Sequence, residues 1–311
     1  MPMKTRPVSQ YSVFLLLVAM LIWGSSFAAM KLAVAVYDPL LVTFARLLIA
    51  SIVFLSLRRY FGPLHYRPGD WKWLLLMVLF EPVLYFLCET HALRFTSSAA
   101  AATIIALLPL SVTVAAQLLL HERVPARLYA GMLVSVAGVV LLTASGEQTA
   151  LAPQPWLGNL LEGLAMLCAV GYTLAVKHLS SHYSALFLTA LQAFIGSALY
   201  LPLLPWTTFS ATVDRPALLA VFYLGAVVSV LAYFCYNRAL ALLPASRVAV
   251  YSSLIPVFGA GFGWLLLGET LSLAQGAAIG LVVAGVAYSQ SGADTAPTLE
   301  PACAQASGGR M

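Results

Sequence analysis

The chain has 311 residues, of which 61% are hydrophobic and only 9% are charged. A soluble domain carries about a quarter charged residues, so this composition excludes a water-soluble globule. The net charge of +5 does not indicate nucleic-acid binding either, because the basic residues are scattered and form no stripe interleaved with aromatic residues. The sequence therefore predicts an all-α integral membrane protein.

Breaks at charges, prolines and polar clusters divide the chain into ten apolar segments. About 20 apolar residues in a helix span the hydrocarbon core of a bilayer, so each segment is predicted to be one transmembrane helix. The first segment follows Lys4 and Arg6 and ends near small residues, as a cleaved signal peptide would, but its recurrence later in the chain favours a retained helix. The predicted helices cover residues 11–31, 39–57, 71–92, 97–120, 126–144, 156–177, 183–204, 216–237, 244–267 and 272–290.

The distribution of Lys and Arg residues predicts the orientation of these helices. Cytoplasmic loops carry an excess of basic residues, and a cytoplasmic N-terminus places most basic loop residues inside. Both termini are therefore predicted to be cytoplasmic, and the tail over 291–311, rich in Gly, Ala, Ser and Pro, is predicted to be disordered. The predicted inside segments contain Lys4, Arg6, Arg58, Arg59, Arg67, Lys72, Arg123, Arg127, Lys177, Arg238, Arg247 and Arg310, and the outside segments contain Lys31, Arg94 and Arg215.

An internal repeat is the strongest signal in the sequence. At an offset of 147 residues, Pro109 aligns with Pro256, without gaps on either side. The predicted repeats, residues 11–144 and 153–290, contain five helices each, and an odd number inverts the second copy. Inverted repeats are typical of secondary transporters, whose binding sites lie near the bilayer midplane where the repeats meet. The same offset pairs Gly24 with Gly171, Cys88 with Cys235, Leu119-Leu120-His121-Glu122 with Leu266-Leu267-Gly268-Glu269, and Ala137-Gly138-Val139 with Ala284-Gly285-Val286.

Short motifs accompany the repeat: Trp23-Gly24-Ser25-Ser26-Phe27, Arg46, the run Ala-Leu-Arg-Phe-Thr-Ser-Ser-Ala from Ala92, Pro109 and Glu122, and the second-half copy from Arg238-Ala239-Leu240 to Pro256 and Gly268-Glu269. Over about residues 11–290, this pattern resembles the EamA-type transporters of the drug/metabolite transporter superfamily. The resemblance implies ten helices as two inverted five-helix repeats, cytoplasmic termini and export of amino acids or other small metabolites. It does not imply a particular substrate.

The function predicted from these features is secondary transport of a small-molecule solute across a bacterial inner membrane by alternating access. Export of amino acids or related metabolites is favoured, and uptake of a metabolite or translocation of a lipid-linked sugar is the alternative. A membrane-embedded enzyme is less favoured, since the sequence has no HExxH, GxSxG or Gly-rich phosphate loop. The cysteine spacing suggests no metal site, no cofactor is predicted, and the predicted partners are the solute, membrane lipid and, as a candidate coupling ion, protons.

Ionisable residues inside the predicted spans are the first candidates for a site. Glu81, Tyr85 and Glu89 recur every four residues in the third span, a spacing that places them on one face of a helix. Glu81 is about ten residues, or roughly 15 Å, from either end of its span, and a carboxyl group at that depth is typically functional. Burial favours its neutral form and would allow proton exchange, whereas a nearby Arg46 would favour the charged form. A structural ion pair of Glu81 with Arg46 is the alternative to a functional Glu81, and Arg46 and Glu89 are predicted to form a structural ion pair.

Aromatic and hydroxyl side chains near the centres of other spans complete the predicted cavity. Trp23 and Ser26 in the first span, and Tyr172 in the sixth, offer ring faces and hydroxyl groups that can receive a planar group or an ammonium. Helix packing, with Ser26 bonded back to its own helix, is the alternative. The predicted substrate-binding residues are Trp23, Ser26, Glu81, Tyr85, Tyr172, Tyr233 and Tyr251.

Two prolines lie near the centres of the fourth and ninth spans. Pro109 and Pro256 remove the hydrogen bonds that the carbonyls of Ile105 and Ser252 would accept in a regular helix. Freed carbonyls at that depth need protein or water as partners, which predicts a kink beside a cavity. The two prolines are therefore predicted hinges, with a static bend as the alternative.

Overall fold

The computed structural model describes residues 10–62, 66–120, 126–145, 149–209, 212–243 and 245–290. Apart from an isolated bridge between Thr149 and Ala152, the regular elements within these ranges are all helical. Seven helical segments there are long and apolar enough to cross a membrane, and three shorter apolar helices accompany them. Each of these segments overlaps one of the predicted spans. The predicted tail over 291–311, together with Glu122, lies outside the described residues.

The helices of the first half follow one another with short connections. The predicted third span comprises two helices joined by a wider π-helical turn over Leu79–Leu84, and the predicted fourth span comprises two helices separated at residues 106–107. The helices are α1 (Gln10–Val34), α2 (Pro39–Ser56), α3 (Asp70–Val78), α4 (Tyr85–Phe95), α5 (Ser98–Ile105), α6 (Leu108–Leu120) and α7 (Ala126–Ala144).

The second half repeats this order. Its eighth span also contains a π-helical turn, over Leu224–Ala232, and its ninth span is interrupted by a 3-10 turn over Tyr251–Leu254. The interruptions thus fall at matching places in the two halves. The helices are α8 (Pro155–Leu179), α9 (Ala185–Tyr200), α10 (Arg215–Tyr223), α11 (Tyr233–Leu242), α12 (Ala245–Val250), α13 (Ile255–Leu267) and α14 (Leu273–Gln290).

Side-chain caps fix where several helices begin. A helix start has backbone amides without intrahelical acceptors, and a side-chain oxygen just before it can accept from them. Asp38 accepts from the Leu40 amide at 2.9 Å, and Pro39 occupies the first position of α2, where its missing amide costs nothing. The starts of α5, α9 and α10 are capped in the same way by Ser97, Ser184 and Asp214.

The two central prolines lie at helix starts as well. Pro109 is the second residue of α6 and Pro256 the second residue of α13. The kinks predicted at these positions are therefore breaks between consecutive helices. Each proline lies in the first turn of its helix, where a backbone amide would have no intrahelical acceptor, so the missing amide costs no hydrogen bond. Their movement as hinges stays a prediction.

Two lysines, the buried Lys31 and the half-buried Lys177, close the ends of two equivalent helices. Lys31 Nζ donates to the carbonyl oxygens of Leu93 and Thr96 at the end of α4. Lys177 Nζ donates at 2.8 Å to the carbonyl oxygens of both Leu240 and Leu243 at the end of α11. The last carbonyls of a helix lack intrahelical donors, so an ammonium group satisfies them and opposes the negative end of the helix dipole.

The first helix of each half packs mainly against the other half. The second-half helices α10, α11 and α13 contact α1, whereas the first-half helices α3, α4, α5 and α6 contact α8. Two further pairs join equivalent helices directly, α2 with α9 and α7 with α14. The halves are therefore interlocked around a shared core, and neither buries its apolar surface alone.

The crossing of α7 and α14 has reciprocal contacts. A Cβ atom added to Gly138 would lie 2.9 Å from Ala278 O, and one added to Gly285 would lie 2.6 Å from Gly131 O, so the backbones touch at both points. Residues 138 and 285, like 131 and 278, are equivalent at the 147-residue offset. Small residues allow membrane helices to approach this closely.

We expect Gly285→Ala to destabilise the protein and Gly280→Ala to leave it as stable or slightly more stable. Alanine favours helix by about 1 kcal/mol at either site, but at Gly285 overpacking costs about 1–3 kcal/mol. Gly280 lies on the same helix with no atom within 4 Å of an added Cβ. SDS-induced unfolding of the purified variants in detergent measures both effects, and equal stability of the two would contradict this account of the crossing.

Candidate functional site

A small central cavity lies where the two halves meet. Its volume is about 40 Å³, enough for one or a few water molecules. Of the predicted substrate-binding residues, Tyr251 does not line it; this side chain is half-buried at the start of the 3-10 turn before α13. The lining residues are Trp23, Ser26, Phe27, Arg46, Glu81, Tyr85, Glu89, Ile105, Leu108, Ala169, Tyr172, Thr173, Val228, Tyr233, Tyr236 and Ile255.

Glu81 lies at a break in its helix. Its backbone is extended, with φ −149° and ψ 119°, because the ring of Pro82 disfavours helical geometry in the preceding residue. The regular four-residue periodicity therefore does not hold at Glu81, although Glu81, Tyr85 and Glu89 all line the cavity. The carbonyl oxygen of Glu81, which has left the helical pattern, accepts from Gln192 Nε2 at 3.2 Å.

The carboxylate of Glu81 has one hydroxyl partner. It accepts a hydrogen bond from the Tyr233 hydroxyl, which reaches it from α11 in the other half. Glu81 is only 4% exposed. This contact joins the two halves through a titratable group at the cavity wall.

Arg46 lies against Glu89 at the same cavity. Arg46 Nη1 is 3.7 Å from Glu89 Oε2, and Arg46 Nε donates to Ser229 Oγ at 3.1 Å. The Tyr85 hydroxyl donates to the other carboxylate oxygen of Glu89 at 2.9 Å. The guanidinium also stacks over Phe86, 4.1 Å from the ring centre. The charges of Arg46 and Glu89 thus offset each other, which reduces the cost of burying both.

An aromatic wall faces these charged groups. The ring of Trp23 lies 5.2 Å from that of Tyr233 and 4.8 Å from that of Tyr236, centre to centre. The Trp23 Nε1 donor is buried and has no hydrogen-bond partner among the described residues. Because an unpaired buried donor costs free energy, this group indicates a place for a missing acceptor.

Other predicted polar residues are held by the protein. The Tyr172 hydroxyl lies 2.7 Å from Asn237 Oδ1 and 3.0 Å from Gln192 Oε1, to either of which it can donate. Ser26 Oγ donates to the Trp23 carbonyl of its own helix at 2.7 Å, as in the packing alternative, but it also lines the cavity. Ser25 Oγ lies 2.6 Å from the Tyr223 hydroxyl and is not among the lining residues.

The cavity is chemically asymmetric although both halves contribute equivalent positions. At the 147-residue offset, Glu81 corresponds to Val228 and Glu89 to Tyr236, and all four line the cavity. The acidic groups come from the first half, and the second half presents an apolar and an aromatic residue in their places.

A second cavity, which we call the vestibule, opens at the end of the bundle predicted to face outward. Its volume is about 500 Å³. Glu269 lies in its wall and accepts from the Ser98 amide at 2.9 Å and the Ser98 hydroxyl at 2.8 Å, which closes the start of α5. Its polar lining includes Thr96, Ser97, Ser145, Thr149, Asn159, Glu269, Thr270, Ser272 and Gln275.

Sequence reasoning missed three residues of this region. Pro82 causes the helix break, because its ring disfavours helical geometry at Glu81. The Glu-Pro sequence could have predicted this break. Gln192 is a buried amide whose partners are known only from the fold. Glu162 of α8 is fully buried, and an acidic residue inside an apolar segment is a recognisable functional signal.

The sequence profile of the EamA-like transporter family matches residues 10–144 and 156–289. The chain therefore belongs to the EamA-like transporter family and is a multi-pass membrane protein. The two matched segments correspond closely to the two halves of the fold.

Named relatives cover most of the chain. The uncharacterized transporter YetK of Bacillus subtilis is 27% identical over 86% of this chain and 83% of its own length. A protein of Salmonella typhimurium named "Probable amino-acid metabolite efflux pump" is 26% identical over 90% and 94%. The S-adenosylmethionine/S-adenosylhomocysteine transporter of Chlamydia trachomatis is 28% identical over 90% and 89%.

A solved structure shares the fold. A crystal structure of a protein with 22% sequence identity superposes with a TM-score of 0.66, covering 89% of this chain and 95% of the other.

We expect Arg46→Met to lower the free energy of unfolding by about 3–5 kcal/mol, because it leaves the Glu89 carboxylate buried without its cation. Adding Glu89→Gln should recover much of this loss, since the amide oxygen can still accept from Tyr85. Thermal and SDS-induced unfolding of the wild type, the two single variants and the double variant in detergent measures the coupling. Additive effects of the two substitutions would show that the pair makes no structural contribution.

Proposed function

We propose that this protein is a secondary transporter that exports amino acids or related small metabolites across a bacterial inner membrane by alternating access. The observation that carries the proposal is the central cavity, which is lined by Glu81 and by Trp23 with its unpaired Nε1, both in contact with Tyr233. A carboxylate can receive an ammonium, and an N–H donor can receive a carboxylate. An α-amino acid group carries both.

The relatives support this class of solute. The Salmonella protein is named for efflux of amino-acid metabolites. Both compounds in the name of the Chlamydia protein contain an α-amino acid group. The aromatic wall of Trp23, Tyr233 and Tyr236 further favours solutes with a planar or cationic part.

The size of the cavity supports alternating access. A space of about 40 Å³ is too small for an amino acid, so the helices must separate before a solute can bind. Breaks at Glu81, at residues 106–107 and at the 3-10 turn over Tyr251–Leu254 border the cavity and divide its helices into shorter bodies. Broken helices at the midplane are characteristic of transporters that open to one side at a time.

We further propose that the chain crosses the membrane ten times, as two inverted five-helix repeats, with both termini in the cytoplasm. The reciprocal contacts of α7 with α14 support a two-fold relation, since Ser135 Oγ donates at 3.2 Å to the carbonyl of its own equivalent, Val282. Equivalent residues touch each other only near a two-fold axis. The bias of Lys and Arg residues supports the orientation.

Glu81→Gln should preserve the fold, because the side-chain volume hardly changes, but lower transport and alter its pH dependence. Counterflow in proteoliposomes, with a panel of amino acids, amines, nucleotides and sugars, identifies the solute and measures the loss. Tyr233→Phe, which removes the donor to Glu81, should also lower transport, while Tyr223→Phe on the preceding α10 serves as the matched control. A folded Glu81→Gln protein that transports like the wild type at every pH would refute the role of Glu81.

The orientation is tested by cysteine labelling in a variant without native cysteines. Tyr66 and Phe209 are exposed, at 60% and 69%, in connections predicted to lie on opposite sides. A cysteine at position 66 should react with a membrane-impermeant maleimide only after the cells are opened. A cysteine at position 209 should react in intact cells with a permeabilised outer membrane. The reverse pattern would overturn the orientation.

A further inference from the structure

Glu162 is a buried acid that the proposed site does not use. It lies on α8 with no exposed surface, and neither carboxylate oxygen has a hydrogen-bond partner among the described residues. An ionised carboxylate in such a place would lose its hydration without compensation, at a cost far above that of a neutral carboxyl group. Burial without a hydrogen-bond partner therefore favours the neutral, protonated form of this side chain.

The ionisable groups facing Glu162 come from the neighbouring helix α4. The Glu89 carboxylate is close enough to repel a negative charge on Glu162, and two carboxylates at such range cannot both ionise readily. Arg46 lies beside Glu89 and favours its charged form, whereas no described residue forms a hydrogen bond with the Glu162 carboxyl group. The side chains of α4 within electrostatic range of Glu162 are Tyr85, Cys88 and Glu89.

Glu162 also lies between the two cavities. One turn before it on α8, Asn159 lines the vestibule, where it accepts from Thr96 Oγ1 at 2.6 Å and donates to Thr143 Oγ1 at 3.0 Å. On the other side, Glu89 lines the central cavity. Glu162 is thus one turn from a vestibule residue on its own helix, and α8 packs against α4, which carries Glu89. Asn159, Glu162 and Glu89 are called the row below. Lys31 is a cation on the vestibule side, and its ammonium is held by the carbonyl of Thr96.

We propose that Glu162 is a proton-binding site that connects the vestibule with the central cavity and couples transport to the proton gradient. The inference rests on the proposed transport function. The Glu162 carboxyl releases its proton to the Glu89 carboxylate, and water in the vestibule supplies the next proton to Glu162. One proton enters the row and one leaves it, with no other bond changed. A proton on Glu89 cancels the charge that faces Arg46, so the contact between α2 and α4 weakens as the proton arrives.

The test uses proteoliposomes that contain a pH-sensitive dye. Glu162→Gln keeps the volume and the fold but cannot carry a proton. It should retain counterflow of the solute, which needs no net proton movement, and lose both solute uptake driven by a pH gradient and the solute-dependent pH change inside the vesicles. Leu167→Ala, on the exposed face of the same helix, should retain all three. If Glu162→Gln folds poorly, Glu162→Met takes its place.

Three outcomes separate this proposal from the transport function. A wild type that catalyses counterflow without moving protons overturns the role of Glu162 and leaves the transport function standing. The same holds if Glu162→Gln moves protons like the wild type. If no solute supports counterflow, infrared difference spectra still test the site, because the carbonyl band of a protonated carboxyl group should be present in the wild type and absent from Glu162→Gln. Identical spectra would overturn proton binding at Glu162.

Discussion

In a bilayer, each polar group of the chain needs its partner within the protein, since the hydrocarbon supplies none. The fold satisfies this constraint at the break before Pro82 and at the end of α4. The carbonyl of Glu81, released by the break before Pro82, is bonded by Gln192 from the other half. The exposed carbonyls at the end of α4 are bonded by Lys31. The interruptions can therefore exist at membrane depth because neighbouring helices complete them.

The same constraint indicates candidate functional groups. Arg46, Glu89 and Tyr85 satisfy one another, so their burial is a stable arrangement even without a solute. Trp23 Nε1 and the Glu162 carboxylate are two buried groups that the described residues leave unpaired. An unpaired donor at the cavity wall fits a missing acceptor from a solute, and an unpaired acid between two cavities fits a missing proton. Incomplete hydrogen bonding thus adds Trp23 and Glu162 to the groups that are available to act on a solute or a proton.

The sequence predicted the positions of the helical segments well, because charges and prolines interrupt long apolar runs at their ends. The sequence also predicted that Trp23, Glu81, Tyr85, Tyr172 and Tyr233 line one cavity. Polar residues near the middle of several spans can all avoid lipid only by facing the interior of the bundle. Helical periodicity alone could not predict the helix break at Glu81, because the break depends on the proline that follows. It also could not show that Tyr251 lies outside the cavity lining, because the position of Tyr251 depends on how α12 and α13 are joined. Gln192 and the row through Glu162 depend on contacts between halves, which no local pattern encodes.

The narrowness of the central cavity has a consequence for affinity. If the solute must first separate the helices, the free energy of opening is subtracted from that of binding, and the apparent dissociation constant rises in proportion to the rarity of the open form. In the proposed exporter, such a threshold would make transport respond more to high than to low solute concentrations. The opening free energy of the bundle would then set the solute concentration at which export begins.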